Sequence, residues 1–137
     1  IRSPFAIRPW QHVLEPLKGY LQLAERLIKE GQSFSEAWNF GPSVRDANTV
    51  EFIVKKLIKA FPEAKWSIDV SPQPHETHYL TLDSTKANRK LSWQPRWSLD
   101  NALNGIVDWH AAWRNGDDMQ LFSLTQINDY ENLVTPS

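Results

Sequence analysis

The sequence contains no cysteine. Disulfides, thiolate metal sites and a cysteine nucleophile are excluded, while the redox compartment stays open. No apolar run approaches the ~20 residues that a membrane-spanning helix needs, and no secretory leader is visible at the start. Charge of one sign is missing too. The 15 Lys and Arg stand against 16 Asp and Glu, a formal net charge of −1, so no global field favours nucleic acid or acidic lipid. Internal repeats and low-complexity stretches are absent. So is the Gly-rich strand-to-helix turn that seats a dinucleotide. A Tyr-x-x-x-Lys pair is also lacking: four residues after Tyr20, Tyr79 and Tyr130 come Ala24, Asp83 and Val134. These absences leave a soluble globular chain, expected in the cytoplasm, with neither nucleic acid nor membrane as partner.

Tryptophan is abundant instead, with 7 in 137 residues. Such a large amphipathic side chain in this number points to thick aromatic packing under irregular loops, or to an interface. The length suits one domain with a modest core, so residues 1–137 read as a single unit. The chain opens without Met, on a segment with no lead-in fold, and is expected to be the later part of something longer.

Hydrophobic spacing gives a mixed α/β order. Residues 5–8 read as a short strand or extended entry. Leu17, Tyr20, Leu21, Ala24, Leu27 and Ile28 recur at helical spacing and predict a helix over 16–30 with these residues as its buried face. Pro16 suits its first turn and Gly31 its end. Residues 37–40 predict a short strand, broken at Gly41-Pro42-Ser43. A helix over 49–60 follows, capped by Asp46 or Asn48, with Val50, Ile53, Val54, Leu57, Ile58 and Phe61 inward. Residues 66–70 alternate as a half-buried strand, and 79–82 form a further extended piece. Helices are expected over 85–91 and 99–113, the last with Ser98 as cap and Ala102, Leu103, Ile106, Trp109 and Trp113 inward. Trp93 and Trp97 are read as core with them. A weak terminal helix and tail occupy 122–137, the helix reaching back to about Met119, and the final residues fray.

Arg8 is the leading candidate for function. It precedes Pro9 and Trp10 at the entry to a helix, and a guanidinium can hold a diphosphate through two parallel hydrogen bonds. The alternative is a structural Arg paired with Glu15 or stacked on Trp10. Asn39, at the end of the 37–40 segment, can donate to a phosphate or ribose oxygen or satisfy the turn backbone. His12 and Trp10 can touch a sugar or base, or simply pack. Glu76 sits on a Pro-rich loop, where binding groups concentrate, and can accept from ribose hydroxyls or a base amino group. His75 and His78 lack a third ligand at sensible spacing, so no metal is expected. Arg45 reads as an exposed loop residue, and Lys86, Arg89 and Lys90 read as a solvated basic face.

Three segments in this order carry a family pattern: Arg8-Pro9-Trp10-Gln11-His12-Val13, then Trp38-Asn39-Phe40-Gly41-Pro42, then His75-Glu76-Thr77-His78-Tyr79 with Asp83, Lys86, Ala87, Leu91, Trp93 and Pro95. The chain resembles the C-terminal portion of the extended short-chain dehydrogenase/reductase family, in its nucleotide-sugar-modifying branch. The run from Arg8 to Leu17 looks most like the CDP-glucose 4,6-dehydratases of that branch. The resemblance implies a small mixed α/β substrate-binding portion of a Rossmann-type enzyme, with the Rossmann half, its NAD and its catalytic groups absent from this chain. It implies CDP-glucose or a similar nucleotide sugar as partner, Arg8 on the substrate diphosphate, and a homo-oligomeric full enzyme. Catalytic and cofactor-binding residues are expected to be absent here, so the chain alone should not catalyse. The family carries Arg where this chain has Thr77 and His78, which weakens a phosphate role for that loop. Another nucleotide-sugar epimerase or reductase, or a stand-alone nucleotide- or protein-binding module, are the rival readings.

Overall fold

A computed structural model describes residues 1–72 and 76–133. Among them helix dominates, with a little strand. Strand β1 (Ile7–Pro9) pairs antiparallel with β2 (Ala47–Thr49), matching Ile7 with Thr49, Arg8 with Asn48 and Pro9 with Ala47. On its other side β1 takes up residues 78–80 in parallel: Ile7 N–H donates to the His78 carbonyl at 2.8 Å and Leu80 N–H to the Ile7 carbonyl at 3.1 Å. β1 is therefore the central line of a small three-segment platform, although only residue 79 of the 79–82 stretch bridges to it.

Five helices surround this platform: α1 (Leu14–Glu30), α2 (Val50–Ala60), α3 (Thr85–Leu91), α4 (Leu99–Asn115) and α5 (Met119–Asn132). Pro16 lies in the first turn of α1, where its missing N–H has no intrahelical partner to lose. Gly31 follows with φ 64°, a conformation that favours glycine. Thr49 caps α2, its hydroxyl accepting from Phe52 N–H at 3.2 Å. The expected cap Asp46 is used elsewhere: its carboxylate accepts from Leu99 N–H at 2.9 Å and caps α4 across the fold. Ser98 caps α4 locally through Asn101 N–H, as its sequence position predicts. Ser92 ends α3 in the left-handed region, at φ 53°, and Trp93 N–H returns to the Ala87 carbonyl. α5 begins at Met119, capped by Asp118. The predicted fraying beyond Val134 lies outside the described residues.

Two expected strands do not form. Residues 37–40 run as loop, with backbone groups at both ends met by side chains: the Gln11 side-chain amide donates to the Phe40 carbonyl and the Lys86 ammonium to the Ala37 carbonyl, each at 2.8 Å. Residues 66–70 bond to the chain's first residue, through Ile1 N to Ser67 O and Asp69 N to Ile1 O, and so enter no ladder.

The core is two small clusters. Phe40, Ala87, Leu91 and Trp93 form one, with Leu23, Phe34 and Trp38 against it. Ile53, Leu99 and Leu103 form the other, with Trp10 and Leu57 against it. Trp93 is fully buried as expected, whereas Trp109 and Trp113 stay substantially exposed. The predicted inner face of α1 is also exposed. The helix turns Glu15 and Gly19 inward, because Gly19 lets the Phe40 ring close on the helix backbone.

Candidate ligand site

The platform fixes Arg8. From the centre of β1 its Nη1 donates to two carbonyls, Ile7 and Thr77, each at 2.9 Å. Its Nη2 faces the Glu76 carboxylate at 3.5 Å. One carbonyl lies in β1 and the other directly precedes the 78–80 segment paired with it, so the guanidinium is held by backbone. Glu76 is exposed on the outer edge. The Ser3 hydroxyl, with the charges of Arg8 and Arg2, holds its carboxyl below the usual carboxylate range. With Nη1 on two carbonyls and Nη2 facing Glu76, an anion can reach this guanidinium only in competition with the Glu76 carboxylate, which itself can accept from a hydroxyl or amino donor.

Of the sequence-predicted residues, Arg8 and Glu76 come together. Arg8 pairs with Glu76 and not with Glu15. Trp10 is held on the core side: its indole N–H donates to the Asn48 carbonyl at 2.9 Å and its ring packs on the Ile53 cluster. His12 is buried, its ring 4.8 Å from that of Trp97, and its Nδ1 accepts from Leu14 N–H. Burial pulls its pKa below the ordinary value. Asn39 stands apart, exposed, its amide 3.4 Å from the Asp83 carbonyl. His75 lies outside the described residues. Among those described, no group of three or more His, Asp or Glu could hold a metal ion.

Arg89 and Lys90 are exposed and Lys86 half-buried, so the basic face expected there is largely solvated, but its two lysines are engaged. Both pair with Glu36, at 2.7 and 2.9 Å, and both lie over the Trp38 ring. Arg45 is exposed, as read.

Sequence reasoning missed two features. One is Glu15, which is 1 % exposed. Its carboxylate accepts from the backbone N–H of Arg96 and of Trp97 and from the Tyr130 hydroxyl, at 2.7–3.0 Å. An acid in the first turn of a helix reads as a dipole partner, and nothing local reveals donors some eighty residues away. The other is an open cleft of 770 Å³ beneath Gly41–Val44, lined across by Leu82, Asp83, Arg89 and Pro95.

No family model matches the chain. Over 136 residues it is 54 % identical to the CDP-glucose 4,6-dehydratase of Salmonella typhimurium. The chain is similar to a dehydratase of nucleotide sugars. The match takes in 98 % of this chain and 38 % of that protein, so the chain spans about two-fifths of the relative's length. The resemblance carried by the Arg8, Asn39 and Trp93 motifs thus extends over nearly every residue. Among the described residues no helix is long and apolar enough to cross a membrane.

Proposed function

We propose that this chain is the substrate-binding portion of an extended short-chain dehydrogenase/reductase, one that converts CDP-glucose to CDP-4-keto-6-deoxyglucose and water. The 54 % identity to the Salmonella enzyme carries the reading. The setting of Arg8 supports it. A guanidinium aligned by two backbone carbonyls meets a diphosphate without first losing side-chain freedom, and Glu76 beside it can accept from the ribose or the cytosine amino group. Trp10 and His12 act as positioning residues that fix the segment following Arg8, while Asn39 contributes separately, from its own loop.

The residues present do not fit NAD. The glycines with positive φ, Gly31 and Gly116, both end helices, whereas a dinucleotide needs a Gly-rich turn opening one after a strand. In this reading NAD, the hydride step and the proton transfers belong to protein outside this chain, which works as one unit in a homo-oligomeric cytoplasmic enzyme.

The test uses the Salmonella enzyme with its matching stretch replaced by this chain. Arg8→Ala there should weaken CDP-glucose binding by about ten- to a hundredfold, the loss of a charge-assisted pair of bonds, and leave NAD binding nearly unchanged. Equal loss of both in parallel titrations would sink the diphosphate role of Arg8.

A further inference from the structure

Arg8 has little open surface for a residue that is to meet an anion. Its side chain is 20 % exposed, and Nη1 is taken up by the Ile7 and Thr77 carbonyls. The Nη2 edge remains, and Glu76 stands on it at 3.5 Å. Among the described residues, Glu76 is the one carboxylate within ion-pair distance of Arg8. The two partners are held very differently. Backbone carbonyls fix Arg8, whereas the Glu76 side chain is 43 % exposed. Thr77, the next residue, is pinned through its carbonyl, so the Glu76 side chain can swing while the backbone beside it stays. The contact is longer than a tight charge-assisted hydrogen bond, about 2.7–2.9 Å, and exposed pairs of this kind are weak. Released from Arg8, Glu76 keeps a second partner in the Ser3 hydroxyl and lies in the field of Arg2.

We propose that Glu76 is the resident occupant of the anion seat on Arg8, and that it selects ligands because each must displace it. The proposal rests on the diphosphate role given to Arg8 above and adds a competitor to it. A bare anion that takes Nη2 breaks the ion pair. It also leaves a carboxylate of its own sign beside it, with no new donor to accept from. A diphosphate that carries a hydroxyl or amino group within reach gives the displaced carboxylate such a donor, and the loss of the pair is offset. Glu76 therefore lowers the apparent affinity of every anion by the fraction of seats it fills. Only a ligand with a donor beside its charge recovers part of that. Discrimination of this kind comes from the repulsive element as much as from the attractive one. The ligand class admitted is a nucleoside diphosphate or a similar hydroxylated diphosphate ester. Inorganic pyrophosphate is the kind of ligand kept out.

The experiment is titration of inorganic pyrophosphate and of CDP-glucose, at fixed ionic strength, into the Salmonella chimera with NAD in excess. Glu76→Gln removes the competing charge and keeps an acceptor oxygen. It should tighten pyrophosphate binding by about three- to tenfold, through loss of an exposed ion pair and of the like charge left beside the ligand. CDP-glucose binding should shift by less than about twofold. In an Arg8→Ala background the same substitution should gain nothing for pyrophosphate, because the competition is for Arg8. The pyrophosphate titrations are repeated on this chain by itself, which carries every residue of the seat, and they decide the matter if the chimera does not fold. Pyrophosphate binding that is unchanged, weaker or undetectable in Glu76→Gln overturns the proposal, as does a gain that survives Arg8→Ala. Equal tightening of both ligands overturns the selection, since Glu76 then hinders every anion alike. Turnover of CDP-glucose separates this proposal from the reading beneath it. An active chimera with no pyrophosphate gain keeps the dehydratase reading and rejects the competitor. A pyrophosphate gain that needs Arg8, in a chimera that neither binds nor turns over CDP-glucose, keeps the competitor and rejects that reading.

Discussion

Glu15 shows how much one side chain can hold. Its two oxygens receive two backbone N–H groups and a phenol, so it ties the start of α1 to the 93–97 loop and to the end of α5. Its presence also raises the pKa of the Tyr130 hydroxyl, after burial, the larger cause. Glu15→Ala leaves the buried Tyr130 hydroxyl and two partly buried N–H groups without this acceptor, and a loss of roughly 2–3 kcal/mol is expected from their desolvation. Urea unfolding of the isolated chain measures it, and Glu15→Gln should recover only part, because its amide nitrogen brings a donor to face donors. His12 gives a pH dependence of definite sign. Burial disfavours its protonation in the fold, while in the unfolded chain it takes up a proton around its ordinary value of 6.5. The unfolded state then binds more protons, so stability falls as pH drops below 6.5 and levels off only once the folded His12 also protonates. His12→Gln should flatten that slope in melts taken between about pH 5 and 7, whatever it does to the absolute midpoint.

At the scale of elements, α1 carries a sharp prediction. The Phe40 ring lies where a Cβ on Gly19 would sit. Gly19→Ala gains about 1 kcal/mol of helix propensity and forces a ring from a closed cluster, which costs about 1–3 kcal/mol. The clash should win, seen as a lower thermal midpoint together with altered near-ultraviolet dichroism from the Phe40–Trp93 pair. The helices were the legible part of the sequence. Apolar spacing and caps such as Ser98 are local, and α3 and α4 begin where those signals place them. The strands were not, because residues 37–40 and 66–70 have the alternation of strands but find their partners in side chains and in Ile1. Periodicity found the apolar face of α1 but not its direction, since a repeat of Leu and Ile says only that something covers it. The pairing of Arg8 with Glu76 was invisible for the same reason: the two are brought together by the β1 ladder. Each was a candidate on its own account, Arg8 for its guanidinium and Glu76 for its loop, and nothing in the sequence joined them.

Across the whole molecule, the described residues leave more large apolar side chains exposed than buried, and the core is split into two clusters. Neither cluster contains α5. That helix is held largely by polar latches: Tyr130 on Glu15, the Arg96 side chain on the Tyr130 and Glu131 carbonyls, and Gln126 on the Gly105 carbonyl. This arrangement sets an order of assembly. A chain made from its N-terminus releases Glu15 long before Arg96, Trp97 or Tyr130 exists. Until those residues emerge that carboxylate must stay in water, and the start of α1 cannot settle into its final place. The last turns of α5 to emerge let the first turn of α1 close, so that turn depends on a residue 115 positions downstream of Glu15.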